Sequence, residues 1–160
     1  MKLVGARRLI RSKLCPSFFG FKNEFKNLAI IGLGGNIGDS AARFDKFLRM
    51  FKKDRRIWLV ESSPILINAA FGYEEQDDFS NAVISLQTSM GASKLLRVLQ
   101  YYEIKFKRER SFKNAPRTLD LDILYMDKKV RRSKRLCVPH SGASKRLSVM
   151  VPMGLLRSIG

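Results

Sequence analysis

Asp120 and Asp122 are the residues of this sequence best placed to do chemistry. They lie in the run Pro116-Arg117-Thr118-Leu119-Asp120-Leu121-Asp122-Ile123-Leu124, which alternates polar and apolar as a half-buried strand does. Side chains two apart on a strand share a face, with Cα atoms roughly 6–7 Å apart. The two carboxylates therefore stand side by side, while Leu119, Leu121 and Ile123 enter a core from the opposite face. Adjacent carboxylates repel unless positive charge sits between them. Arginine, lysine or a divalent cation can supply it, and Mg²⁺ takes one or two carboxylates and fills its shell with water and substrate phosphates. An Asp-x-Asp on a strand is by itself most often a solvated outer face. Strands are poor in Asp, however, so two at neighbouring same-face positions need a reason.

The surrounding cations supply one. Lys105, Lys107, Arg108, Arg110, Lys113 and Arg117 precede the run, and Arg135, Lys145 and Arg146 follow it, with His140 among the latter. Arginine grips phosphate through a planar, always-charged fork. A polyphosphate carrying Mg²⁺ needs carboxylates for the metal and cations for its non-bridging oxygens. Phosphoryl-type transfer is mostly positioning and charge neutralisation, so these parts suffice without a protein nucleophile. Asn81, on an otherwise apolar strand face, adds a second kind of group. A buried amide must have its donors and acceptors filled, and a heterocycle with a matching edge can fill them.

These residues need a scaffold, and the sequence outlines one. Leu28 to Leu33 reads as a buried strand, Gly34-Gly35-Asn36 as a turn, and Asp39 or Ser40 as a helix cap. Phe44, Phe47, Leu48 and Phe51 follow at helical spacing and form a core stripe. Arg56 through Ile67 predicts a second strand, Asn68 to Asp77 a loop, and Phe79 to Thr88 a third strand. In the third strand Phe79, Asn81 and Val83 share one face, and Ala82, Ile84 and Leu86 the other. A second helix begins near Gly91, with Leu95, Val98, Leu99, Tyr102 and Phe106 as its stripe. The aspartate strand is fourth, Lys128 to Arg135 is a charge-dense excursion, and Leu147 to Val151 predicts one more short strand. The order β-α-β-β-α-β predicts an α+β, ferredoxin-like fold with a mainly antiparallel sheet. The spacing of Gly32, Gly34 and Gly38 does not match a dinucleotide-binding fingerprint.

With 160 residues, 45% hydrophobic and 28% charged, the chain suits one domain with a real core. The formal net charge of +17 implies an anionic partner: nucleic acid, an acidic membrane surface or phosphorylated small molecules. No apolar run approaches the roughly 20 residues of a membrane span. Cys15 and Cys137 have no metal or redox spacing, which fits free thiols in a reducing, cytoplasmic setting. Residues 1–26, where Glu24 is the only acid, read as a basic, poorly ordered extension, and residues 27–160 as the domain.

Five blocks follow one another along residues 28 to about 152. They are Gly32-Leu-Gly-Gly-Asn36 with Arg43-Phe44; Ser62-Ser63 with Gly72-x-x-x-Gln76-x-Asp78-Phe79-x-Asn81-Ala82-Val83; Leu95-Leu96 with Gln100-x-x-Glu103 and Arg108-x-Arg110; Pro116 through Ile123; and Arg135 through His140 with Arg146. In these blocks the chain resembles the 6-hydroxymethyl-7,8-dihydropterin pyrophosphokinase family of the folate pathway. The resemblance implies a ferredoxin-like monomer that transfers pyrophosphate from its co-substrate ATP to the pterin's hydroxymethyl oxygen and releases AMP. It implies two Mg²⁺ ions held by Asp120 and Asp122 together with the triphosphate. It implies Arg108 and Arg117, with those aspartates, as the catalytic set. ATP contacts would come from Gln100, Arg110, Arg117, Ile123, Arg135, His140 and Arg146, and pterin contacts from Phe71, Phe79 and Asn81. No membrane and no obligate nucleic acid is expected as a partner.

The chain departs from the family pattern in several places. Gly35 stands where Ser is usual, Asn68-Ala69-Ala70 where Thr-Pro is common, Phe112 or Asn114 where a tryptophan precedes the Pro-Arg block, and Leu147-Ser148 where an aromatic follows the last arginine. The domain is also expected to be short at the C-terminus, closing at Gly160. Two other readings stand beside this one. A basic ferredoxin-like module can bind single-stranded RNA, though the Gly-Phe-x-Phe type strand of such modules is absent. An inactive paralogue that binds ATP without turnover would carry the same blocks.

Overall fold

The computed structural model describes residues 5–69, 75–107, 118–127 and 131–159. In chain order the strands are β1 (Ala6–Ile10), β2 (Ser17–Phe18), β3 (Asn27–Gly35), β4 (Ile57–Ser62), β5 (Ile65–Asn68), β6 (Phe79–Thr88), β7 (Asp120–Met126), β8 (Arg131–Arg132) and β9 (Cys137–Val138). The helices are α1 (Ser40–Lys52), α2 (Ala92–Lys105) and α3 (Leu147–Gly154). β3, α1, β4, β6, α2 and β7 make the expected βαββαβ unit, with antiparallel strand order β4-β6-β3-β7. This is the ferredoxin-like arrangement. Among the described residues no helix is long and apolar enough to cross a membrane.

The apolar periodicities explain the layers. Asp39 caps α1 by accepting from the Ala42 N–H, and Phe44, Phe47, Leu48 and Phe51 are fully buried. They meet Leu95, Leu99 and Tyr102 of α2 and the inward residues of the sheet, including Ala29, Ile31, Leu33, Ile84, Leu86, Leu121 and Ile123. The opposite sheet face carries a smaller core of Ile30, Val83 and Leu124 beneath Val149 and Leu156. That second core is confined to one end, because the other end of the face holds the polar residues described below.

Four local expectations change. Residues 6–18 are no loose tail: β1 pairs with β5, β2 pairs with β4, and Cys15 is fully buried in the main core. Burial raises the Cys15 thiol to about 11, so it stays protonated. Exposed Arg7 and Arg8 suit an edge strand, where charge discourages further pairing. The predicted second strand is two, divided at Ser63 and Pro64, and both pieces pair along β6. Proline has no N–H for a ladder, which accounts for the break. Gly34 and Gly35 belong to β3, not to a turn. Residues 147–151 form the start of α3 instead of a strand, because Val149, Met153 and Leu156 pack at helical spacing.

Buried carboxylates pin the outlying segments. Asp45 of α1 accepts from Ser12 Oγ and from the backbone N–H groups of Lys13 and Leu14. Glu61 of β4, 4% exposed, accepts from the N–H groups of Arg157 (2.6 Å) and Ser158 (2.7 Å). Hydrogen bonds to a charged acceptor contribute more than neutral ones. Glu61→Ala is expected to cost about 3 kcal/mol for the pair of bonds it removes. Urea unfolding should register this as a lower midpoint at unchanged slope. An unaltered midpoint would mean that the clamp adds nothing.

Candidate active site

The site follows from the register of three strands. On the face away from α1 and α2, Gly34 of β3 pairs with Asn81 of β6 on one side and Asp120 of β7 on the other. Two residues along, Gly32 pairs with Val83 and Asp122. Neighbouring strands lie about 4.8 Å apart, so Asn81 and Asp120 flank a bare glycine strip with Cα atoms roughly 10 Å from each other. Asp120 and Asp122 share this face, half-buried, while Leu119, Leu121 and Ile123 enter the main core. The expected alternation is therefore present.

A side chain on the strip would crowd Asn81 at Gly34 and touch Leu124 at Gly32. A Cβ on Gly34 would lie 3.1 Å from Asn81 Oδ1 and 3.8 Å from Asp120 Cβ. A Cβ on Gly32 would lie 3.4 Å from Leu124 Cδ1. Asn81 donates from Nδ2 to Asn68 Oδ1 at 2.6 Å, which holds the amide over the strip. Phe79, half-buried and two residues earlier on the same face, borders the amide. One side of the trough is thus an amide beside an aromatic ring, and the other side is a pair of acids.

Nearby segments are tied to this trough by bonds that the sequence did not reveal. The His140 N–H donates to Leu124 O at 2.9 Å, so the loop after β9 is anchored two residues beyond Asp122. The Gly142 N–H donates to His140 Nδ1 at 3.0 Å, and Gly142 O accepts from the Arg146 N–H at 3.0 Å. Arg146 packs its side chain over Gly142, where a Cβ would be 2.6 Å from Nε. His140 and Arg146 are therefore one unit built around a glycine. Because Nδ1 accepts, the neutral ring carries its proton on Nε2, a donor suited to an anion. Arg43 of α1 binds both Ile37 O and Thr118 O, which keeps the approach to β7 beside the end of β3. Glu103 of α2 accepts from the Leu121 N–H at 3.1 Å and so seats that helix along the edge of β7. Gln100 lies one helical turn earlier, half-buried.

Two expected residues stand apart. Ile123 has its side chain in the main core, on the face opposite the aspartates, so only its backbone is available to a ligand. Arg135 is exposed in the turn between β8 and β9. Phe71, Arg108, Arg110 and Arg117 lie outside the described residues.

The donor set fits a magnesium–polyphosphate complex. Two same-face carboxylates with no third His, Cys, Asp or Glu grouped beside them among the described residues suit a cation that keeps water and takes phosphate oxygens, not one enclosed by protein. Thr118 Oγ1, just before Asp120, is buried and has no hydrogen-bond partner among the described residues. Such a hydroxyl at a site edge is a group that a ligand can satisfy.

Fold and site together suit a diphosphotransferase, and comparison with known proteins shows that class. A family model described as 7,8-dihydro-6-hydroxymethylpterin-pyrophosphokinase matches residues 30–158. Several relatives bear the name 2-amino-4-hydroxy-6-hydroxymethyldihydropteridine pyrophosphokinase. The Campylobacter jejuni protein is 50% identical over 156 residues, covering 98% of this chain and 99% of that one. The Helicobacter pylori protein is 38% identical, with 93% of each chain covered, and the Bacillus subtilis protein 32% identical, with 79% and 76% covered. The chain belongs to the 7,8-dihydro-6-hydroxymethylpterin-pyrophosphokinase family.

Gly34→Ala tests the trough directly. Its methyl would press on the Asn81 amide while leaving an extended backbone that alanine tolerates. The variant is expected to fold normally and to raise KM for the pterin about tenfold, as weakened ground-state binding does. Steady-state kinetics with an unchanged pterin KM would mean the strip does not receive that substrate.

Proposed function

We propose that this enzyme transfers pyrophosphate from ATP to 6-hydroxymethyl-7,8-dihydropterin across the Gly34 strip, giving AMP and the pterin diphosphate. The single observation that carries the reading is the row Asn81–Gly34–Asp120, which has a heterocycle-reading amide and a metal-suited carboxylate on opposite sides of one bare residue.

The pterin lies over the strip in this reading. Asn81 keeps Oδ1 and one N–H beyond its bond to Asn68, a donor–acceptor pair that matches a pterin edge. Phe79 stacks on the ring, and Phe71 completes the pterin contacts. Asp120 and Asp122 hold two Mg²⁺ ions, which when bound supply charge neutralisation for the triphosphate. Arg108 and Arg117 meet the phosphates, and Arg110 and Arg135 add to their grip. His140 Nε2–H and the Arg146 guanidinium, joined through Gly142, hold the nucleotide's anionic oxygens. Gln100 and the Ile123 backbone border the adenosine. The hydroxymethyl oxygen attacks the β-phosphorus and loses its proton to solvent water, the bond to the bridging α–β oxygen breaks, and AMP departs with that electron pair. Positioning by the two sides of the strip replaces a bimolecular encounter with a fixed one. The same reading has the protein act in the cytoplasm as a monomer.

Asp120→Asn and Asp122→Asn are expected to cut AMP formation by about 100-fold or more, as loss of electrostatic stabilisation commonly does. Their unfolding midpoints should stay near wild type. A coupled AMP assay with ATP, Mg²⁺ and the reduced pterin decides the matter, and wild-type turnover in both variants would remove the metal-holding role.

A further inference from the structure

The outer face of α1 and α2 carries a charge pattern that chemistry on the other side of the sheet does not use. From Ser40 to Arg56 and from Ala92 to Lys107, every exposed charged side chain is Lys or Arg. The three carboxylates within these stretches are withdrawn. Asp45 holds the backbone at Lys13 and Leu14, and Glu103 accepts from Leu121. Asp54 receives two side-chain bonds from Arg56 and the Tyr102 O–H. The Arg56 side chain is the main reason that the Asp54 carboxyl is held down to about 2, so at neutral pH this is a closed ion pair.

The pattern opposes helix stability. Lys46 and Arg49 of α1 and Lys53 at its C-cap lie one turn apart, and Arg97 and Lys105 bracket Tyr101 at four-residue spacing on α2. Like charges at such spacing weaken a helix, whereas alternating Glu and Lys would strengthen it and serve solubility equally well. Between the C-terminal halves of the two helices lies a cleft of about 360 Å³, lined by Met50, Lys53, Tyr101, Tyr102, Lys105 and the Asp54–Arg56 pair, whose charges offset each other. Tyr101 is 54% exposed there, with Lys105 Nζ 5.7 Å from its ring centroid.

We propose that this face binds single-stranded nucleic acid, with a base against Tyr101 in the cleft and phosphates on Lys46, Arg49, Lys53 and Lys105. Cations tracking a backbone beside an exposed aromatic ring are the two components of sequence-tolerant strand binding. A duplex keeps its bases stacked and has none to offer the ring. A membrane-seated helix needs a free apolar face, and the apolar sides of α1 and α2 are already spent in the core. The cleft is on the opposite side of the sheet from Asn81, Asp120 and Asp122, so a bound strand leaves the catalytic trough open.

The test is fluorescence anisotropy of the full chain with a labelled single-stranded RNA of about 12 nucleotides. Four phosphate contacts give a log–log salt slope of about −3. Lys46→Glu with Lys53→Glu is expected to weaken binding at least tenfold and to make the slope shallower by about 1.4. Tyr101→Ala should weaken it about fivefold or more. AMP formation by both variants should equal wild type, and a saturating non-hydrolysable ATP analogue with pterin should leave RNA binding unchanged. Displacement of the RNA by that pair would overturn the proposal. So would wild-type RNA affinity in the double variant, or equal competition by duplex RNA or phosphatidylglycerol vesicles.

Discussion

Everything at the site depends on how β3 is held between β6 and β7. Its alternation gives one face to Ala29, Ile31 and Leu33 and the other to Ile30, Gly32 and Gly34. The apolar side fixes the register, because a slip of one residue would send Ile31 and Leu33 to the wrong face. With the register fixed, Asn81 and Asp120 must flank Gly34, and Val83 and Asp122 must flank Gly32. Beyond Ile123 the pairing of β7 shifts at a bulge, so Tyr125 joins Leu124 against the small core under α3 while Met126 enters the main core, and Leu124 O accepts from the His140 N–H. One sheet face is thus polar at the glycine end and apolar and covered at the other.

Scarce acids do structural work at each junction. Against 31 Lys and Arg the chain has 14 Asp and Glu. Asp45, Glu61 and Glu103 are all buried, and each accepts from backbone N–H groups of a distant segment. A carboxylate with backbone donors is a fixed joint, whereas a surface ion pair contributes little. The excess of cations therefore remains uncompensated over the helical face.

Much of this was legible from local pattern. The Phe44–Phe51 stripe, the α2 stripe and the Leu119–Ile123 alternation each carry their own period, so element type and inward face follow directly. The shared face of Asp120 and Asp122 is a consequence of the same period. What local pattern does not contain is pairing between distant strands. That Gly34 lies between Asn81 and Asp120 joins three segments far apart in sequence, and the glycines read naturally as a turn. The N-terminal segment misled by composition: its charges suggest a tail, while the burial of Cys15 and the grip of Asp45 depend on α1 and on β4. Gly142 was invisible for a similar reason, since its function is set by what His140 and Arg146 do around it. Ile123 was expected at the nucleotide through family likeness alone, although the same alternation that exposes the aspartates buries its side chain.

The most direct measurement is nuclear magnetic resonance line broadening by Mn²⁺ added with a non-hydrolysable ATP analogue to the isotope-labelled chain. Broadening should be strongest at the backbone amides of Gly34, Leu121 and Asp122, weaker at the Asn81 side-chain amide, and absent from Lys53 and Tyr101 beyond the helices. Broadening centred on any other part of the chain, or spread evenly over it, would contradict a catalytic metal held by Asp120 and Asp122 beside the glycine strip.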